Sequence, residues 1–402
     1  MSRKSFYIVG YFGAPNLGDE LLCRSVVERL RRTYSDSTIC VVSQSAEVSK
    51  KYTGIEAEYI VGCWPDAEYY RSFGRHIRAV TKSSLVVIGG GGLISDHYSW
   101  AGIPQYCIEA LLAILIGRPY VFVGLGVKEV RRRCLRKLAS FVCRYAVVIY
   151  CRDQDSSEQL QKLTGRRDIR VAPDLANMEC RDLWSEWEEK DYTLVNVRER
   201  PHIDENKLTE FCRKILESTR KLVLLVAEKP DANYYRKVVE NWTADEQTAT
   251  KIVNPSTLNE AIRWIGEAKF VAAERMHANL IAVHCGKRLM TINYESKVEQ
   301  FFHMLNSDGL MCRLEDIGAG SACALLKLDS PEISAKLHEL EENATKEFDS
   351  VIKAGLSFCS YKFWQRFFAG LYFIILLAFG VVFSLAVLVK RVVFSRGFLR
   401  CT

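Results

Sequence analysis

Residues 85–92 read LVVIGGGG. Four apolar residues running into four glycines describe a strand buried on both faces. It ends where a ligand or another backbone must come close. Outward from it the same alternation repeats. Upstream, residues 6–10 and 38–43 read as strands. Between them residues 17–32 read as a helix, with Leu21, Leu22, Val26, Val27 and Leu30 at helical spacing. Downstream, residues 108–116 form an apolar helix closed by Gly117, and residues 120–123 a strand ending in Gly124-Leu125-Gly126. A basic helix over 130–144, a strand over 146–150, a short helix over 156–163 and a strand over 169–172 follow. Continuous apolar strands alternating with helices predict a parallel sheet covered on both faces.

The pattern breaks at residues 179–191 (ECRDLWSEWEEKD), which are polar and acidic, and then resumes. Strands are expected at 192–197, 222–227, 252–254, 270–273 and 289–294. Helices are expected at 231–242, at 257–265 behind a Thr257-x-x-Glu260 capping box, and at 278–284. The fold class is therefore α/β, with two doubly wound Rossmann-like domains around a central cleft. Residues 1–180 form the first domain, 181–191 a linker, 192–330 the second, 331–362 a connecting helix and 363–402 a hydrophobic helix with a basic tail.

The chain has 402 residues, 49% of them hydrophobic, and a net charge of +7 from 55 basic and 48 acidic residues. That composition excludes a disordered chain, and 24 Gly with 9 Pro exclude a collagen. The mild basic excess fits anionic substrates or an anionic lipid surface and is no nucleic-acid footprint. The 14 cysteines include no C-x-x-C pair, so they read as free thiols in a reducing cytosol. Residues 5–10 are too short for a signal peptide. Residues 367–389 (FFAGLYFIILLAFGVVFSLAVLV) carry no charge. As a helix they reach about 34 Å, enough for a bilayer's hydrocarbon core; a buried core helix is the weaker reading, and a helix or hairpin that enters one leaflet and returns is a third. The catalytic domains are thus expected in the cytoplasm, associated with a membrane through residues 367–389. Basic residues on both sides of the segment leave its orientation open.

In open α/β sheets ligands bind beyond the carboxyl ends of the strands, so the turns there hold the candidates. The first, residues 10–20 (GYFGAPNLGDE), sets glycines and Asn16 before a helix that opens with Asp19 and Glu20. Two carboxylates at a positive helix end suit a sugar hydroxyl or acid/base work better than an anion; a plain capping turn explains them equally well. Gly90, Gly91 and Gly92 follow a buried strand, with Asp96 and His97 shortly after, and no Gly-Lys-Ser/Thr makes them a nucleotide-phosphate loop. Arg152-Asp153 follows the strand 146–150, where a helix cap beside a solvated Arg is the plainer explanation. In the second half, Arg198 ends a strand, and Glu274-Arg275-Met276-His277 joins the strand 270–273 to a helix. Arg suits carboxylate or phosphate, and His is the usual acid/base near neutral pH. Lys297, after Tyr294-Glu295-Ser296, adds a positive charge or is simply solvated. No metal-ligand cluster is apparent.

These residues together resemble the polysaccharide pyruvyl transferases. The resemblance rests on residues 10–20, residues 87–96 (VIGGGGLISD), Arg152-Asp153, Val197-Arg198 and residues 274–298 (ERMHANLIAVHCGKRLMTINYESKV). The last is similar to the family's Arg-Leu-His helix and Tyr-Asp-Pro-Lys-Val turn, with Met276 for Leu and Glu295-Ser296 for Asp-Pro. The resemblance implies a fold like that of GT-B glycosyltransferases. It implies an enzyme that moves the enolpyruvyl unit of phosphoenolpyruvate onto two hydroxyls of a sugar, as a ketal, with release of phosphate. The acceptor would be a lipid-linked or cell-surface glycan precursor, bound on the first domain, with the donor on the second and no cofactor beyond it. Carried over by position, Arg198 and Arg275 hold the donor's carboxylate and phosphate and His277 is the acid/base; the reading of the first turn adds Asp19 to the catalytic set. Lys297, Asn16, Glu20, Gly90, Gly91, Gly92, Asp96 and Arg152 line the substrates. The alternatives are a GT-B glycosyltransferase using a nucleotide sugar, or a non-catalytic membrane-anchored scaffold.

Overall fold

A computed structural model describes residues 3–14, 16–97, 99–178, 187–199, 205–293, 296–328 and 334–398. The first sheet comprises β1 (Ser5–Val9), β2 (Thr38–Ser43), β3 (Glu58–Val61), β4 (Leu85–Ile94), β5 (Tyr120–Val127), β6 (Ile149–Cys151) and β7 (Arg170–Val171). Its order is β3-β2-β1-β4-β5-β6-β7, and every pairing is parallel. The second comprises β8 (Lys190–Asn196), β9 (Leu222–Leu225), β10 (Thr250–Val253), β11 (Ala268–Ala273), β12 (Arg288–Asn293) and β13 (Met311–Arg313). Its order is β10-β9-β8-β11-β12-β13, again all parallel. The expected α/β class with two doubly wound domains holds. In both sheets the strand order reverses beside the first strand, between β1 and β4 and between β8 and β11. Those switch points are where such sheets open a crevice.

Three differences from the sequence reading are informative. The glycines at 89–92 are not a turn but the middle of β4, which runs on to Ile94. A Cβ on Gly89 would come within 1.9 Å of the Val123 carbonyl oxygen, so glycine there lets β4 lie tight against β5. Residues 44–84 carry β3 and the helices Ala46–Thr53 and Ala67–Lys82, none of them expected. The helix Ala46–Thr53 and β3 are short runs, but Ala67–Lys82 has a helical stripe in Tyr69, Phe73, His76 and Val80 that the sequence reading passed over. The basic helix starts at Arg133, not residue 130, because Val130 and Asp96 shape the loop before it.

The linker assigned to 181–191 lies outside the described residues up to 186, and β8 begins at Lys190. The two domains share one apolar core. Leu17, Leu21 and Leu22 of the helix Leu17–Thr33 are buried together with Leu258, Ile262, Met276 and Leu280 of the second domain. After the second sheet the chain returns. The helix Ser334–Leu356 packs on the first sheet and buries Leu340, Ala344, Phe348, Val351 and Ile352. Arg29 Nε donates to Asp349 Oδ1 at 3.0 Å, and Arg170 pairs with Glu347 at 2.9 Å. The last helix, Phe363–Phe398, lies against the helix Gly102–Ile116 of the first domain. Its segment Phe363–Ser384 is long and apolar enough to cross a membrane.

Candidate functional site

The two switch points face each other across the cleft. On the first-domain wall, Asn16 caps the helix Leu17–Thr33, its Oδ1 accepting from Gly18 N at 2.9 Å. The other end of its amide reaches the second domain, where Nδ2 donates to Glu228 Oε1. Leu17 N also donates to the Ala227 carbonyl at 3.4 Å. The helix start is thereby tied to the end of β9.

Asp19 sits one turn into that helix. A Cβ on Gly91 would lie 3.2 Å from Asp19 Oδ1, and Gly90 and Gly91 both have positive φ, +79° and +94°. Glycine there keeps the space beside the carboxylate open. Asp19 leaves part of its surface to the cleft. Burial nevertheless pushes its carboxyl up to about 7, with His277 and Arg152 pulling down and Glu20 and Glu228 pushing up. Glu20 turns inward instead. It is fully buried and accepts from Gly13 N at 2.6 Å, and burial holds its carboxyl near 7 despite that bond.

His277 projects from the second domain onto this wall. Its ring lies over Gly18, where a Cβ would come within 2.2 Å of Nδ1. Its Nε2 is 3.6 Å from Asp174 Oδ1, an ionic approach rather than a hydrogen bond. Burial raises Asp174, but the facing His277 and Arg152 and the Ala176 N–H outweigh it and hold the carboxyl at about 2. Arg152 is not solvated: Nη1 is 3.5 Å from Asp174 and Nε 3.3 Å from Asp153, and Asp153 caps the next helix. Among the described residues neither Asp174 Oδ2 nor His277 Nε2 has a hydrogen-bond partner; both are buried, and Oδ2 faces the Arg152 guanidinium.

On the second-domain wall, Arg275 Nη2 donates to Glu228 Oε2 at 3.0 Å and to Asp231 Oδ1 at 2.9 Å, and among the described residues its Nε has no partner. Burial would lower its pKa, but those carboxylates raise it further, so the charge is permanent. Asp231 also accepts from Ala227 N and Glu228 N. Arg198 Nε lies 3.2 Å from Glu274 Oε1, while Arg198 N donates to Glu274 Oε2 at 2.8 Å. The guanidinium remains 26% exposed.

Of the residues expected from sequence, Asn16, Asp19, Arg152, Arg275 and His277 are brought together, with Gly90 and Gly91 behind Asp19. Gly92 is exposed with open space around it. Asp96 spends both carboxylate oxygens on the Arg131 and Arg132 N–H groups, at 3.1 and 2.9 Å. Lys297 is half-buried at the start of the helix Ser296–Met304; Tyr294 and Glu295 lie outside the described residues. Asp174, Glu228 and Asp231 were missed, although Asp174 follows the strand 169–172 and so satisfies the strand-end criterion. Among the described residues no group of three or more His, Cys, Asp or Glu can hold a metal ion.

The arrangement puts a carboxyl poised near neutral pH beside an imidazole, with fixed guanidinium groups opposite. Such a site can move protons and hold an anion at once. A family model described as polysaccharide pyruvyl transferase matches residues 16–296, from the capping Asn16 through both switch points. No curated protein matches the chain. Solved structures share the fold at low identity. Anabaena Alr3699/HepE in complex with UDP and glucose is 10% identical, with a TM-score of 0.54 over 88% of this chain and 97% of that one. A glycosyltransferase from Rickettsia africae is 11% identical, with a TM-score of 0.57 over 89% and 100%. The UDP-GlcNAc 2-epimerase of Methanocaldococcus jannaschii is 11% identical, with a TM-score of 0.58 over 88% and 100%.

Proposed function

Because this chain belongs to the polysaccharide pyruvyl transferase family and is a transferase enzyme, we propose that it takes the enolpyruvyl group from phosphoenolpyruvate and leaves it as a ketal on a sugar. The acceptor is a pair of hydroxyls in a lipid-linked or cell-surface polysaccharide precursor, and phosphate is released. The observation that carries this reading is the meeting of Asp19, His277 and Asp174 across the cleft, opposite Arg275 and Arg198.

The chemistry needs a proton on C3 of the enol, an electron-poor C2 and a sugar hydroxyl to attack it. His277 is the acid that supplies the proton. Asp174, ionised at all ordinary pH, faces its Nε2 and orients the ring. Asp19 is the matching group for the hydroxyl proton, since a carboxyl near 7 both accepts and returns one. As the first hydroxyl bonds to C2, phosphate departs towards Arg275, Arg198 and Lys297. The second hydroxyl then closes the ring on the oxocarbenium carbon that phosphate leaves behind, and its proton returns to His277. Arg275 is pre-aimed by Glu228 and Asp231, so binding costs little side-chain ordering. Asn16, Glu20, Gly90, Gly91, Gly92, Asp96 and Arg152 belong to the acceptor wall, some as direct lining and others, such as Glu20 and Asp96, by shaping it. Residues 1–180 thus take the acceptor and 192–330 the donor, with both domains in the cytoplasm. No cofactor enters the scheme.

The test is phosphate release from phosphoenolpyruvate by detergent-purified protein given a membrane lipid-glycan extract. Release that requires both the extract and His277 is expected. Turnover of a nucleotide sugar, with no release from phosphoenolpyruvate, would replace this reading with a glycosyltransferase.

A further inference from the structure

The helix Phe363–Phe398 has two apolar faces with different surroundings. Ala369, Phe373, Leu376 and Gly380 are buried, at the i, i+4, i+7, i+11 spacing of a single helix face. That face docks on the helix Gly102–Ile116 and reaches the helices on either side of it. Phe373 meets Phe73 of the helix Ala67–Lys82 at 6.0 Å between ring centres, and Tyr372 meets Phe141 of the helix Arg133–Tyr145 at 5.1 Å. Trp64 Nε1 donates to the Leu376 carbonyl at 3.1 Å, Tyr70 OH to the Leu377 carbonyl at 3.2 Å, and Ser384 Oγ to the Pro65 carbonyl. A Cβ on Gly380 would come within 2.0 Å of Tyr70 OH, so this contact is fitted to a glycine.

The other face is bare. Trp364, Leu371, Ile375 and Val382 are 65%, 52%, 55% and 66% exposed. At about 100° per residue these four fall within roughly 40° of one line, opposite Phe373 and Gly380. Exposed cations lie on both helices that flank this ridge, some of them also donating to backbone carbonyls, as Arg75 does to Tyr59 and Arg136 to Val130. Arg71, Arg75, Arg78 and Lys82 are exposed on one flanking helix, where the one acidic residue, Glu68, is paired with Arg71 at 3.2 Å. Arg133, Arg136, Lys137 and Arg144 are exposed on the other, which has no acidic residue at all. A shallow pocket joins Arg136, Lys137 and Arg144 to Tyr372 at the ridge's edge.

We propose that this face is an in-plane membrane anchor. The ridge enters the headgroup–acyl boundary of an anionic phospholipid leaflet, the basic flanks rest on its phosphates, and the helix stays docked on the first domain instead of crossing. An apolar strip with Lys and Arg alongside is the pattern that lies in an interface. Crossing would strip the Trp64 and Tyr70 bonds and expose the buried stripe. The proposal rests on the helix being a membrane element, and the two measurements below test that premise and the orientation separately.

The first is flotation of the full chain with vesicles of phosphatidylcholine alone or mixed with phosphatidylglycerol. Binding to the mixed vesicles is expected, and Leu371→Glu with Ile375→Glu should abolish it. At about 1 kcal/mol per cation near such a surface, Arg133→Gln, Arg136→Gln and Lys137→Gln together should weaken it roughly a hundredfold. Absence of flotation overturns the proposal, as does a protein dimer through the ridge that the glutamate variants dissociate. The second is labelling by a membrane-impermeant maleimide in cytosolic-face-out vesicles from expressing cells. Cys359, exposed before the helix, and Cys401 after it should both react without detergent. Cys401 reacting only after detergent would mean that the helix crosses.

Discussion

The two walls of the cleft hold charge in different states. On the first-domain wall, burial leaves Asp19 and Glu20 near half-protonation at neutral pH. On the second, Arg275 and Arg198 already face carboxylates, and their charge does not vary. One wall can exchange protons and the other fixes a field. His277 belongs to the second by sequence and to the first by contact, since it lies over Gly18 and beside Asp174. The contrast comes from packing: Asp19 opens a helix that is half inside the interdomain core, whereas the arginines sit beyond strand ends with acids beside them.

The sharpest way to break this contrast is His277→Asn, which removes the imidazole that the second domain lends to the first wall. Phosphate release should fall about a thousandfold, within the range of a lost acid/base. Gly18→Ala leaves every charge in place but drives a methyl into the imidazole. A loss of about a hundredfold in kcat is expected, with the fold checked by circular dichroism. Asp19→Asn tests the proton-exchanging wall directly, at about a hundredfold in rate and with loss of any kinetic pKa near 7. Its stability sign is also defined. The folded carboxyl titrates near 7 and the unfolded one at 3.8, so the fold holds that proton more tightly. The contribution is complete below 3.8 and is lost as pH rises towards 7. The Tm of the wild type should therefore fall more between those values than that of Asp19→Asn. Glu20 retains a slope of the same sign.

Asp174 gives the opposite profile. Held at about 2 in the fold, it contributes stability above 3.8 that disappears as pH falls towards 2. Asp174→Asn should flatten the acid limb and lower kcat roughly tenfold, with little change in the KM for phosphoenolpyruvate. Smallest is Asn16→Ala, which loses a cap and the tie to Glu228. About 1 kcal/mol of stability is expected from chemical denaturation.

Much of this was legible in the sequence. Alternating apolar strands and helices dictate two parallel sheets, and the strand-end criterion leads directly to Asp19, Arg198, Arg275 and His277. What escaped has physical causes. The glycine run reads as a loop because glycine usually breaks strands, yet Gly89 is needed within β4 for close contact with β5. Asp174 follows the strand expected at 169–172 but stands alone in Ala172-Pro173-Asp174-Leu175, with no second charged group beside it to mark a site. Glu20 and Asp96 look like site residues by position, and only the fold reveals that Gly13 and the Arg131–Arg132 backbone occupy them. The terminal helix looks uniformly apolar because a docked face and a bare face use the same residue types; separating them requires the neighbours.

The return of the chain to its first domain has a consequence for biosynthesis. The first sheet has all seven strands once Val171 is made, but the helix that covers part of it spans Ser334–Leu356. Gly355 packs so tightly there that a Cβ would come within 2.7 Å of Leu85. Until the ribosome has delivered that helix, the apolar surface it buries stays uncovered, with the whole second domain translated in between. The first domain to be synthesised is thus among the last to be sealed, and a nascent chain stalled before residue 334 presents a surface for chaperones to hold.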